Sequence, residues 1–217
     1  LVENLPPHVR IGVVHVAIGG CRIELFQKDK CEEDIKTAPD WMVNTLKEYD
    51  NDPYTRLVEM ARIAQKSGVI KGILLHQGES NTGDKEWSQK VKSVYDNLLA
   101  DLHLQADEVP LIAGEVVNAD HGGVCAGMNE VIAMLPQVIK NCALFSTTPS
   151  FFRSSNRSVP WRRAETIRRA LIGPMPGTRS SVSYSAFMIS SGNCSRCPMA
   201  QWHLGSTNGL KSGCCSS

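Results

Sequence analysis

With 217 residues, 42% of them hydrophobic and 21% charged, and a net charge of +1, the chain has the composition of a globular protein and the length for one large domain or two small ones. No apolar run approaches the roughly 20 residues that a membrane helix requires. The start at Leu1-Val2-Glu3-Asn4 has neither the basic opening nor the apolar stretch of a signal peptide, and since the first residue is not Met, further residues are expected upstream.

Residues 11–17, IGVVHVA, form a short apolar, β-branched run that ends at Gly19-Gly20. The pattern predicts a buried strand followed by a tight turn. After a charged stretch, Leu57, Met60, Ala61 and Ala64 fall on one helical face, and Ser67-Gly68 marks its end, with Gly68 able to take the left-handed C′ position. Residues 69–75 predict a second strand. The strongest helical pattern follows: Trp87, Val91, Val94, Tyr95, Leu98, Leu99 and Leu102 keep 3-4 spacing, with Asp84 as the expected N-cap. Residues 110–117 predict a third strand, 128–135 a helix, and Ala143, Leu144 and Phe145 the centre of a fourth strand. Strands alternating with amphipathic helices predict βαβ units: an α/β fold with a parallel sheet and helices on both faces. Ligands of such folds bind at the carboxyl ends of the strands. The segments at Gly19-Gly20, Gln77-Gly78-Glu79 and 115–120 each follow a strand, so they are expected to meet at one edge.

The pattern breaks near Thr148-Pro149. Residues 1–148 carry fourteen Lys and Arg against twenty-one Asp and Glu, a net −7, whereas 149–217 carry nine against the single acid Glu165, a net +8. Lys outnumbers Arg ten to four before the break, and Arg outnumbers Lys eight to one after it. Beyond it Gly, Ser and Pro dominate, residues 182–189 are the only stretch that reads as a strand, and loose packing or disorder is expected rather than a second domain. The cysteines divide likewise. Cys21, Cys31, Cys125 and Cys142 stand singly and predict free thiols. Cys194, Cys197, Cys214 and Cys215 have a spacing that suits a zinc site poorly, so no metal is expected.

The stretch GILLHQGESN, residues 72–81, sets an apolar strand directly against His76, Gln77, Glu79, Ser80 and Asn81. A carboxylate at a buried strand end can orient and charge-stabilise a histidine, as the acid of a Ser-His-Asp/Glu triad does. Backbone N–H groups at Gly19-Gly20, with the Gln77 amide, would form the donor cluster that an acyl-transfer oxyanion requires. The plain alternative is a strand-to-helix turn, with Glu79 favoured by the dipole of the following helix and Ser80 and Asn81 as ordinary turn residues.

HQGESN after an apolar strand, together with VAIGGCRIELF after an earlier one, resembles the carbohydrate-acetylesterase branch of the SGNH/GDSL hydrolases, the acetylxylan esterases and sialate O-acetylesterase-like proteins. The likeness covers residues 1–148, including PLIAGEVVNAD and MNEVIAMLP. It implies a three-layer α/β/α, flavodoxin-like fold, no metal or other cofactor, and hydrolysis of acetyl esters on sugars through a serine nucleophile. It assigns Gly20 an oxyanion-hole N–H, Gln77 a side-chain donor to the same hole, and Glu79 the acidic partner of the catalytic histidine. His76 reads as a packed structural histidine, and Asn118 and Asp120 as pocket-lining residues. Acetylated carbohydrate is the expected partner, with neither membrane nor nucleic acid. A secreted or periplasmic parent protein fits the resemblance, and oligomeric state is left unassigned.

The departures are specific. The family's nucleophile sits in a Gly-Gln-Ser-Asn-like block well upstream of the Gly-Gly strand, and the chain begins only ten residues before that strand. Ser80 follows the wrong strand to be that serine. An Asp-x-x-His-like block is due after the last strand, where the chain instead reads PSFFRSSNRSVPWRR; His203 lacks the aspartate three residues before it. The chain therefore reads as a partial acetylesterase domain over 1–148, incomplete at its N-terminus, followed by an atypical Arg/Ser-rich tail over 149–217. Translation out of frame past codon 148 would produce both the composition break and the missing block. A non-catalytic carbohydrate-binding protein, or an inactive fragment of the family, is the alternative to an active esterase. A nucleotide-binding reading of Gly19-Gly20 lacks a GxGxxG. An Arg162, Arg163, Arg168 and Arg169 nucleic-acid face lacks an aromatic platform or recognised motif.

Overall fold

The computed structural model describes residues 10–28 and 30–146, together with the backbone of a strand at Ser183–Ser190. In chain order the elements are β1 (Arg10–Ala17), α1 (Cys31–Lys36), α2 (Asp40–Glu48), α3 (Pro53–Gln65), β2 (Val69–His76), α4 (Trp87–Asp101), β3 (Leu111–Gly114), α5 (Met128–Ile132), α6 (Leu135–Val138), β4 (Cys142–Phe145) and β5 (Ser183–Ser190). All five strands are parallel, in the order β1-β5-β2-β3-β4. The fold is α/β, as its alternating pattern implies.

Each helix forms for a local reason. The Asp52 side chain accepts from Thr55 N–H at 2.9 Å and Pro53 opens α3, a capped start that needs no donor at its first position. Helix α4 buries Trp87, Val91, Val94, Tyr95 and Leu98 along one stripe. Asp84 stands ahead of it rather than at its cap, accepting from Glu86 N–H at 3.0 Å. Helix α2 buries only Met42 and Leu46, a stripe too narrow to stand out in a charged stretch. The helix expected over 128–135 divides in two because Pro136 has no N–H to return to Ile132. The strand expected over 110–117 ends at Gly114. Beyond it the Asn129 amide takes both polar groups of Val116, accepting from its N–H at 2.9 Å and donating to its carbonyl at 3.0 Å.

Helices α3 and α4 are bolted together: Tyr54 Oη donates to Asp101 at 2.6 Å and Gln65 Nε2 to the Leu102 carbonyl at 2.9 Å. Burial, then the Asp101 carboxylate, pushes the Tyr54 hydroxyl well above its ordinary pKa. Helix α4 also packs on α5 and α6, so these helices form one layer. The path β1 to β2 to β3 to β4 always steps across the sheet in one direction, and right-handed crossovers then place every connection on the same face. Ile73, Leu75 and Leu111 meet Ile23, Val91, Val94 and Leu98 there, in the core. A second helical layer, as in the expected sandwich, is not seen among the described residues.

Strand β5 amends the reading of the tail. Residues 182–189 were its only strand-like stretch, and Ser183–Ser190 form the strand that joins β1 to β2, which do not pair with each other. At least these eight residues of the Arg/Ser-rich region belong to the sheet. The cysteine pair at 194 and 197, Cys214, Cys215, the Arg162–Arg169 stretch (numbers 162–169) and His203 lie outside the described residues.

Candidate active site

The rim after β1 is a turn closed by Cys21 N–H donating to the Ile18 carbonyl at 3.3 Å. Gly20 sits in it at φ +67°, and a Cβ there would lie 3.1 Å from the Trp41 ring, so both conformation and space call for glycine. The N–H groups of Gly19 and Gly20 have no acceptor among the described residues.

The rim after β2 is fastened to this turn by the residues that looked most like functional groups. Ser80 Oγ donates to the Gly20 carbonyl at 2.7 Å. The Gln77 amide donates to the Cys21 carbonyl at 3.2 Å and to Asn81 Oδ1 at 2.8 Å, while its oxygen accepts from Trp87 Nε1. Asn81 Oδ1 also accepts from Ile23 N–H at 2.9 Å, and its Nδ2 donates to Glu24 at 2.9 Å and Asp84 at 3.4 Å. Gly78, at φ +141°, lets Met128 close against the backbone; a Cβ there would meet its Cγ at 3.1 Å.

This geometry corrects the expectation for Gln77. Its side chain is 1% exposed and both amide hydrogens are engaged inside the protein, so it has no donor left for an oxyanion. It ties the two strand tips together instead. His76 packs its ring over Gly114, as a structural histidine would, although its ring nitrogens have no hydrogen-bond partner among the described residues. Asn118 accepts from Asn129 at 2.7 Å, and Asp120 is exposed beside His121 at 3.0 Å, so neither forms part of the joined tips. Glu79 stands apart from its neighbours. Its backbone carbonyl accepts from Thr82, but its half-buried carboxylate makes no hydrogen bond or ion pair among the described residues.

Beneath the rim lies a charged knot. Lys90 Nζ reaches Glu24 at 2.7 Å and Asp84 at 2.6 Å, and Arg22 reaches Glu24 at 3.2 Å. Burial disfavours the Glu24 carboxylate, but the hydrogen bonds from Lys90 and Asn81, a backbone N–H and the Arg22 charge outweigh it, and its pKa lies below the ordinary value. Cys21 is fully buried, and burial, followed by the Asp34 charge, pushes its thiol up to about 12. It is a core residue, not a nucleophile. Cys21, Cys31, Cys125 and Cys142 are all free. Glu24 and Asn81 were not singled out as a pair from the sequence. The lone acid inside the apolar IELF run was the signal, because a buried carboxylate must find a partner.

The sequence model of the carbohydrate esterase, sialic acid-specific acetylesterase family matches residues 1–149. The chain belongs to that family. The match spans every described residue except Ser183–Ser190, and it includes both fastened strand tips. No solved structure matches the chain. Membership of a carbohydrate esterase family implies an esterase-like function and an acetylated carbohydrate as the substrate class.

Proposed function

We propose that the protein is a carbohydrate O-acetylesterase acting at the edge formed by the β1 and β2 tips. The observation that carries the reading is the division of labour within HQGESN. Gln77, Ser80 and Asn81 hold the two tips together, Gly78 admits Met128 and His76 packs on Gly114, whereas the Glu79 carboxylate has no structural task among the described residues. A half-buried carboxylate without a partner, beside a glycine turn with free N–H groups, is costly unless a ligand or a cation meets it in use. Gly20 N–H, with Gly19 N–H beside it, is suited to an oxyanion, and Glu79 to balancing an imidazolium during acyl transfer.

The test is acetate release from O-acetylated sialic acid and from O-acetylated xylo-oligosaccharide, with Glu79→Gln run in parallel. The amide keeps the shape and removes the charge, so kcat/KM should fall by about 10²–10⁴ with KM little changed. Unchanged turnover in Glu79→Gln would remove the carboxylate from the mechanism. Saturable binding of the acetylated sugars with no acetate released would replace the esterase by a binding protein.

A further inference from the structure

Helix α2 leaves its largest apolar side chain outside the core. It buries Met42 and Leu46, whereas Trp41, one position off that stripe, is 57% exposed, the most of any described Trp, Tyr or Phe. The ring is nevertheless placed. Its Cη2 and Cζ2 lie 3.1 and 3.5 Å from where a Cβ of Gly20 would stand. The indole N–H has no acceptor among the described residues, in contrast to Trp87, which is fully buried and donates from Nε1 to Gln77. Tyr49, the residue after α2, donates from its hydroxyl to the Ala17 carbonyl at 3.5 Å, so the helix that carries the indole is moored to the tip of β1. Trp41 thus adjoins the turn whose Gly19 and Gly20 N–H groups have no acceptor among the described residues.

We propose that Trp41 is the sugar platform of this site: the pyranose ring of an acetylated substrate lays one face on the exposed indole while its ester carbonyl turns to the Gly20 N–H. The proposal rests on the esterase reading above and adds the residue that reads the sugar. A single ester oxygen separates the acetyl carbonyl carbon from the sugar. A substrate whose carbonyl oxygen meets the Gly20 N–H therefore has its ring beside that glycine, where the indole lies. The faces match chemically. A pyranose face presents weakly positive C–H groups, and the indole face offers a large apolar area with a negative quadrupole. The hydroxyls at the sugar's edge stay in water, and one of them can accept from the free indole N–H. An aromatic surface with a few placed polar groups is the usual make-up of a small-molecule site. The acetyl group alone gives such a site little to select on, so the platform reads the alcohol half of the ester. Trp41 stands away from the bond that breaks and holds ground state and transition state alike, so its contribution falls on KM rather than kcat. Reading along the chain did not single out Trp41, because a lone aromatic in a charged helical stretch carries no sign of which turn it will cover.

The experiment compares the full-length chain with Trp41→Ala and Trp41→Phe in two assays. The first is acetate release from O-acetylated xylo-oligosaccharide, from O-acetylated sialic acid and from vinyl acetate, an activated ester with no ring. The second is calorimetric binding of the two deacetylated sugars. The ratio of kcat/KM for a sugar ester to that for vinyl acetate should fall about tenfold or more in Trp41→Ala, through KM, and by less in Trp41→Phe, which keeps a smaller ring. The ratio discounts any loss of folded protein, since both substrates share it. A fall with either sugar supports the platform, and the sugar that shows it is the one the site takes. An unchanged ratio, with equal losses on the sugar ester and on vinyl acetate, overturns the platform and leaves the esterase reading intact, because Trp41 would then only shape the Gly20 turn. No acetate from any ester, with sugar binding weakened about tenfold in Trp41→Ala, sinks the esterase reading and keeps the platform. Neither acetate release nor sugar binding overturns both.

Discussion

Replacing Asn81 by Ala should cost more than any other single truncation in the HQGESN stretch. Asn81 is 2% exposed, and its amide makes bonds of 2.9 Å from Ile23 N–H, 2.8 Å from Gln77, 2.9 Å to Glu24 and 3.4 Å to Asp84. Truncation leaves a buried backbone N–H at Ile23 and one Gln77 N–H without acceptors, each a penalty of about 1–3 kcal/mol, and it removes a bond to the Glu24 carboxylate. Some recovery by entering water brings the expected loss to about 3–5 kcal/mol, a large part of the ~5–15 kcal/mol stability of a typical domain. Urea denaturation read by Trp fluorescence should show the midpoint falling by about 1.5–2.5 M for a slope near 2 kcal/mol per M. Asn81→Asp sharpens the test. It keeps the acceptor for Ile23 but sets a third carboxylate beside Glu24 and Asp84, so it should be destabilised at pH 7 and recover as the pH falls. A loss under about 1 kcal/mol for Asn81→Ala would refute the reasoning, because the hub would then be dispensable.

Three further outcomes follow from the same geometry. Gly20→Ala forces a side chain into φ +67° and against Trp41 at 3.1 Å; a loss of about 1–3 kcal/mol and a fall in acetate release are expected, read by thermal melting and turnover. Lys90→Met strips Glu24 and Asp84 of their shared cation. The folded-state pKa of Glu24 lies below its ordinary value of 4.5, so its contribution is present above that value and is lost as the pH falls through the folded pKa. The Lys90→Met deficit should therefore be largest near neutrality and shrink in acid; a deficit independent of pH between 7 and about 3 would contradict the pairing. Cys21, with its thiol pushed up to about 12 by burial, should resist iodoacetamide at pH 8 in the native protein and react only on unfolding. Rapid native labelling at Cys21, located by mass spectrometry, would show that the turn is open.

The elements themselves were legible because their signals are local. Apolar runs at 11–17 and 69–75 appear as β1 and β2, and the 3-4 stripe from Trp87 appears as α4. The stop at Gly114 and the division at Pro136 were less legible, since one depends on a side chain fifteen residues on and the other on a missing donor. Gln77 is the instructive case. Its chemistry allowed an oxyanion donor, and nothing in a linear pattern says which carbonyl 56 residues earlier will take the amide instead.

The order of amino acids by itself determined the strands, the helices, the glycine turn and the family, because backbone preference, apolar spacing and motif are properties of neighbours along the chain. Which polar groups of HQGESN bind the protein to itself, and which one is left over, was decided only in three dimensions. So was the position of β5, which joins β1 to β2 from beyond the composition break. The physical reason is common to both. A buried donor or acceptor must be matched by whatever the fold brings within about 3 Å, and that partner is chosen by topology rather than by sequence distance.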